Sequence, residues 1–114
     1  RAAELYLIRA EARFRTGDAT GARADLSALR SHRGLDAVGE DVAGDALFNL
    51  ILNERRVEFS LEGHRWFDLK RNGLTITKHN NIEPVPYSDY RILAPLPQDQ
   101  LILNSNLTNN PGYN

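Results

Sequence analysis

The sequence predicts a mainly α-helical chain: a helical hairpin, then a long helix and a short helix, covered by an extended Pro/Asn-rich C-terminal tail. Three observations predict it. Residues Ala2 to Arg33 are rich in Ala, Leu, Arg and Glu, which are good helix formers, and only Thr16-Gly17-Asp18 interrupts them with turn chemistry. Apolar residues recur there, and again after Asp45, at i, i+3, i+4 and i+7, the period of a helix with one buried face. All five prolines and most asparagines lie after Leu74, where regular structure is expected to give way.

Each element has its own signature. The first helix, near Ala2–Arg15, places Ala3, Tyr6, Leu7, Ala10 and Phe14 on one face. The second, near Thr20–His32, places Ala22, Leu26 and Leu29 on one face, and Gly34 stands where a left-handed residue closes a helix. Leu35–Gly44 reads as a connection. Asp45 is the expected N-cap of a long helix that carries Leu47, Phe48, Leu50, Ile51, Leu52, Val57, Phe59 and Leu61, and Gly63 should weaken or break it. Helical character resumes over His64–Asn72 and Gly73 ends it. In the tail, Thr75–Thr77, Tyr90–Leu93 and Leu101–Leu103 are short apolar runs. Extended segments are expected there, with a turn of helix after Pro97. The tail is expected to be ordered, anchored by Leu93, Leu96, Leu101, Leu103 and Leu107, with its asparagines closing local turns. Residues 1–114 are expected to form a single domain: 1–34 the hairpin, 45–73 the helix pair, 74–114 the docking tail.

Composition removes several functions. A chain of 114 residues can bury roughly two-thirds of its unfolded surface, enough for one core. Fourteen Lys and Arg against fifteen Asp and Glu leave no basic surplus, which argues against nucleic-acid binding. Without cysteine, disulfide scaffolds and thiolate metal sites are excluded. Apolar runs are too short for a membrane span. The chain starts at Arg1 and contains no methionine, and it reads as a piece of a longer polypeptide or a trimmed product of one.

The chemistry-bearing residues concentrate between Ile51 and Arg71. On the long helix, Glu54 and Glu58 fall inside the apolar stripe of Leu47, Leu50, Ile51, Val57 and Leu61, while Phe48, Leu52, Arg55 and Phe59, joined by Trp66 if the helix continued, form a second stripe. A glycosidase pair must flank a bond from two directions, whereas residues four apart on a helix stand side by side. The two glutamates are therefore expected to be structural, neutralised by arginine, with Arg9, Arg30, Arg55 and Arg65 as candidate partners. Glu62, Arg65 and Asp68 follow i, i+3 spacing, and with Glu54, Arg55 and Glu58 they make up the expected structural ion-pair network. No catalytic residue, metal site or cofactor is expected. His32, His64 and His79 lack ligand spacing, the glycines are isolated, and no nucleophile motif is present. Trp66 is expected in the core. Tyr87 and Tyr90, in a Pro/Ser/Asp-bearing loop, are the candidates for ligand contact, since exposed phenol rings suit sugar stacking.

Four segments carry a resemblance. They are Ala3–Ala12 (AELYLIRAEA), Asn53–Phe59 (NERRVEF) running on to Glu62–Arg71 (EGHRWFDLKR), Arg91–Gln98 (RILAPLPQ), and Asn104–Tyr113 (NSNLTNNPGY). In this order they resemble the C-terminal portion of the SusD/RagB family, over essentially the whole chain. Asn53 stands where Asp is usual, and Ser105 where Pro is common. The resemblance implies a fold built on tetratricopeptide-like hairpins. Gly17 as the inter-helix glycine puts Ala10 at the small contact position, with Ala22 and Leu26 at packing positions. It also implies a non-enzymatic protein that binds glycans or other nutrients, lipid-anchored at the cell surface on the outer membrane through a missing N-terminal part. Its implied partners are a SusC-like TonB-dependent transporter and an oligosaccharide or other nutrient. This chain would then be mainly helical scaffold. A tetratricopeptide-like protein–protein interaction module is the competing reading.

Overall fold

The computed structural model describes residues 1–77 and 82–113. The chain is mainly helical. The helices are α1 (Ala2–Arg15), α2 (Ala19–His32), α3 (Gly44–Glu58), α4 (His64–Arg71) and α5 (Gln98–Leu103), with a 3₁₀ turn at Tyr90–Ile92. Among the described residues, no helix is long and apolar enough to cross a membrane. Two compact units emerge, Arg1–Arg65 and Trp66–Asn114, so the expected helix-pair zone 45–73 is divided between them.

The first unit is the hairpin with α3 laid against it. Helix α1 ends because Gly17 takes a left-handed φ of 88°. Its amide then reaches the Phe14 carbonyl at 3.1 Å, and that of Asp18 reaches Arg13 at 2.8 Å, which satisfies carbonyls the helix leaves open. The same paired closure recurs at Gly34, where a helix end was expected, and at Gly73 after α4. Asp18 then caps α2 by accepting the Gly21 amide at 2.8 Å. Leu7 and Ala10 of α1, Ala22, Leu26 and Leu29 of α2, and Leu47, Ile51 and Phe59 form the buried core. Ala10 and Ala22 are fully buried, as the small-residue register requires for close helix approach. The connection between α2 and α3 lies on α2. Arg30 Nε donates to the Asp36 carbonyl at 2.7 Å, Arg23 to Val42 at 3.1 Å, and Ser27 Oγ accepts the Val38 amide at 3.0 Å.

Helix α3 departs from expectation at both ends. Its N-cap is Ala43, without a side-chain cap, and Asp45 lies in the first turn, where a carboxylate still favours the helix dipole. The helix stops at Glu58, five residues before Gly63, and Leu61 turns left-handed with φ 66°. The apolar stripe therefore does not continue. Leu61 is exposed, and Val57 is 64% exposed, because the buried arc is centred between Leu47–Ile51 and Leu52–Phe59 and Val57 lies beyond its edge.

The second unit is built on Leu69, Ile76, Val85 and Ile92, with Leu74 packed against them. Ile76 and Val85 exchange two backbone hydrogen bonds of 2.9 Å in an isolated antiparallel bridge. Of the five leucines expected to anchor the tail, Leu96 and Leu101 are half-buried while Leu93, Leu103 and Leu107 are exposed, and the buried tail positions are the β-branched Ile76, Val85 and Ile92. Tyr90–Ile92 and Leu101–Leu103 are helical turns rather than extended, and the second belongs to the helix expected after Pro97. Trp66 is exposed, because α4 turns Asp68 and Leu69 inward, and Trp66 falls outside that arc.

Candidate functional site

Tyr87 and Tyr90 share one cleft. It holds about 340 Å³, and the side chains around it include Lys70, Ser88, Asp89 and Pro111. Chain geometry brings them together. The turn Pro86–Asp89 closes on a 3.0 Å backbone hydrogen bond, and Asp89 Oδ1 then accepts the Arg91 amide at 2.9 Å, starting the 3₁₀ turn. Ile92 at the end of that turn is buried and forms part of the cleft wall. Tyr87 is 53% exposed and Tyr90 49%.

The final segment braces Tyr90. Tyr113 meets its ring edge-on, with centroids 5.0 Å apart and planes at 76°. Gly112, at φ 89°, lies so close that a Cβ there would stand 2.5 Å from Tyr90 Cγ. Only glycine allows both the backbone angle and the approach. The segment is itself stapled: Asn109 Oδ1 accepts the Leu96 amide at 2.8 Å, and Asn110 Nδ2 donates to the Ala94 carbonyl at 2.6 Å. Asn104 makes the expected local turn by accepting the Asn106 amide at 3.1 Å, whereas Asn109 and Asn110 also reach across to the Pro-x-Pro segment. Sequence reasoning assigned asparagines to local turns and missed this long-range role.

Charge in the cleft is partly settled. Arg91 donates to both Asp89 oxygens at 2.8 Å. These side-chain hydrogen bonds, with the Arg91 amide, hold the Asp89 carboxyl down to about 2. No salt bridge joins Lys70 to a carboxylate among the described residues.

The acidic residues of the helices do different work. Arg30 binds Glu54, and Arg33 grips Glu58 through Nε at 3.0 Å and through Nη2. The Arg33 hydrogen bond holds the Glu58 carboxyl below its ordinary range, against a burial that pushes it up. Arg33 was not among the expected partners. Arg9, which was, goes instead to Asp25, together with Arg13. Asp25 is only 3% exposed; it accepts from Arg9 at 2.6 and 2.9 Å and is ion-paired with Arg13 at 3.0 Å, which ties the hairpin together. Arg9 and Arg13 stand four apart, facing Asp25 across the hairpin, a signal the sequence held and its reading passed over. Arg55 is buried with its guanidinium over the Phe59 ring at 5.3 Å. Glu62 is exposed and bound by Arg1, Arg65 is half-buried, and Asp68 is buried with Arg71 at 2.8 Å. Of the histidines, His32 ends α2, His64 stacks on Phe59 at 4.6 Å, and His79 lies outside the described residues. No cluster suited to a metal ion occurs among the described residues.

Comparison with known proteins places these features in a family. The SusD family profile matches residues 1–113. A SusD-like protein, P2, of Formosa agariphila is 42% identical over 81 residues, covering 67% of this chain and 16% of that protein. The starch-binding protein SusD of Bacteroides thetaiotaomicron is 35% identical over 121 residues, covering 99% of this chain and 21% of its own length. The crystal structure of a SusD-like protein from Bacteroides fragilis superposes with a TM-score of 0.78 at 32% identity, over 99% of this chain and 25% of that one. The chain thus spans between 16% and 24% of the length of its curated relatives. With its mainly helical architecture and a family match from Arg1 to Tyr113, the chain belongs to the SusD family.

Proposed function

We propose that this chain serves as helical scaffold in a non-enzymatic, glycan-binding component of a nutrient-uptake complex. The component is lipid-anchored on the outer membrane and works with a SusC-like TonB-dependent transporter. The observation that carries the reading is the family match over residues 1–113, with a relative named as starch-binding. The side chains agree with it. Glu54 and Glu58, the carboxylates best placed by sequence for acid–base work, are each engaged by an arginine and stand one helical turn apart. Their task is to fasten α3 to the C-terminal end of α2.

The alternative, a tetratricopeptide-like interaction module, draws on the outer face of α1, where Leu5 and Ile8 are exposed beside Tyr6 and Arg9 around a concavity of about 470 Å³. One experiment separates the two. A protein of the relatives' length carrying this chain is tagged, purified from detergent-solubilised outer membranes, and titrated calorimetrically with starch, xylan and host-glycan oligosaccharides. Co-purification of a β-barrel transporter together with glycan binding supports the uptake reading. A soluble protein partner without glycan binding supports the module. A micromolar dissociation constant for the 114-residue chain alone overturns the scaffold assignment.

A further inference from the structure

We propose that the cleft between Tyr87 and Tyr90 is a subsite for an acidic sugar unit, with the braced Tyr90 ring as its stacking platform and the Lys70 ammonium as its counter-charge. The proposal rests on the glycan-binding reading above and assigns to this chain a weak contact of its own within that function.

Three observations lead to it. The first is preorganisation. Gly112 and Tyr113 fix Tyr90 from two directions, yet the residue remains 49% exposed. A ring already immobilised loses little entropy when a ligand arrives. A surface tyrosine with no task needs no such brace, and the brace uses a left-handed glycine and two asparagine staples.

The second is shape and surface. The cleft, at about 340 Å³, lies at the lower end of the roughly 300–1,000 Å³ range of small-molecule pockets. Its apolar wall of Ile92, Leu93 and Pro111, with two phenol rings, offers the C–H-bearing face of a pyranose something to lie against. Ser88 and the phenol hydroxyls can exchange hydrogen bonds with sugar hydroxyls.

The third is charge. Both Asp89 oxygens are occupied by Arg91, so that anion is already neutralised. Lys70 also lines the cleft, and no carboxylate answers it among the described residues. A neutral sugar leaves the ammonium unused, an apolar ligand strands both it and Ser88, and a bare anion gains nothing from the rings. A sugar bearing a carboxylate or a sulfate uses all three.

The cleft is open and fits only a ring or two, so affinity is expected to be on the order of millimolar. The test is a titration of the 114-residue chain followed by the ring-proton resonances of Tyr87 and Tyr90. Trigalacturonate is the carboxylate probe, a sulfated galactose disaccharide the sulfate probe, and cellotriose the uncharged control. Both rings are expected to shift with at least one acidic probe, with cellotriose about fivefold weaker or more. Tyr90→Ala should weaken binding about tenfold. Tyr87→Ala, which leaves the brace untouched, should also weaken it. Lys70→Gln should remove the preference for acid over neutral sugar. Silence of both rings with both acidic probes overturns the proposal, as does an acid preference that survives Lys70→Gln. The same variants in the longer protein keep the two readings apart. A silent cleft with glycan binding intact removes the subsite alone, while a longer protein that binds no glycan removes the function it rests on.

Discussion

Replacing Gly112 by alanine isolates what holds the candidate site together, because the structure supplies a matched control. Gly17 and Gly112 have nearly the same φ, 88° and 89°. A Cβ on Gly17 meets nothing within 4 Å, whereas one on Gly112 meets Tyr90 Cγ, Cδ2 and Cβ at 2.5, 2.6 and 2.8 Å. Both substitutions incur the left-handed penalty for an L residue, about 1–2 kcal/mol. Only Gly112→Ala adds steric overlap. Carbon atoms pack comfortably at about 3.5–4.0 Å, so ring and segment must part by about 1 Å. Overpacking of that kind costs about 1–3 kcal/mol. Gly112→Ala should therefore cost about 2–5 kcal/mol where Gly17→Ala costs about 1–2. The difference should appear locally. The Leu96 amide, held by Asn109, reports whether the final segment stays in place. Its hydrogen exchange should accelerate about 30-fold or more in Gly112→Ala, since 1.4 kcal/mol is a factor of ten, and the Tyr90 and Tyr113 ring resonances should move. Gly17→Ala should leave that amide unchanged and lower only the stability of the hairpin. Equal costs for the two variants, with Tyr90 unmoved, would refute the bracing argument.

Further outcomes follow from the charges. Asp25→Ala should lower stability by about 2 kcal/mol, less than the 3–5 of a fully buried pair, because the arginines it frees are part-exposed and rehydrate. Urea unfolding should show the midpoint falling by about 1–2 M at unchanged slope, and a fall too small to measure would remove Asp25 as the tie of the hairpin. Glu54→Gln should cost about 1.5–3 kcal/mol through loss of the charge-assisted bond from Arg30, read by the same assay, and a neutral result would show that pair to be ornamental. The fold lowers the Asp89 carboxyl from 3.8 to about 2, so its stabilising contribution is fully present above 3.8 and lost as pH falls through about 2. Carboxyl-carbon NMR should place its midpoint near 2, Arg91→Gln should return it toward 3.8, and an ordinary midpoint in the unsubstituted chain would contradict the geometry. Calorimetry of the isolated chain with neutral starch and xylan oligosaccharides should give no binding tighter than millimolar, and micromolar affinity would contradict the scaffold assignment.

Local signals settled the helices. Ala-, Leu- and Arg-rich composition with a 3.6-residue period placed α1 and α2, and the bracketing Gly63 and Gly73 placed α4, within a residue or so of their observed limits, because helix hydrogen bonds are local and glycine closes a helix with its own neighbours. The family, too, was written in four contiguous motifs. Tertiary structure decided the rest. Which arginine meets which carboxylate depends on the rotation of α1 and α3 against α2. That rotation gave Arg9 to Asp25 and Arg33 to Glu58, where periodicity alone left several cations equivalent. Where α3 ends depends on what its last turn packs against, so Val57 and Leu61 lie in solvent although they share the stripe of Ile51. The cleft is the clearest case. Tyr90 lies some twenty residues before the adjacent Gly112 and Tyr113, and nothing in either segment alone shows that one braces the other. Asn109 and Asn110 carry the bonds that bring them together, and an asparagine's preference for local turns is the same in sequence whether it closes its own turn or reaches sixteen residues back to Ala94.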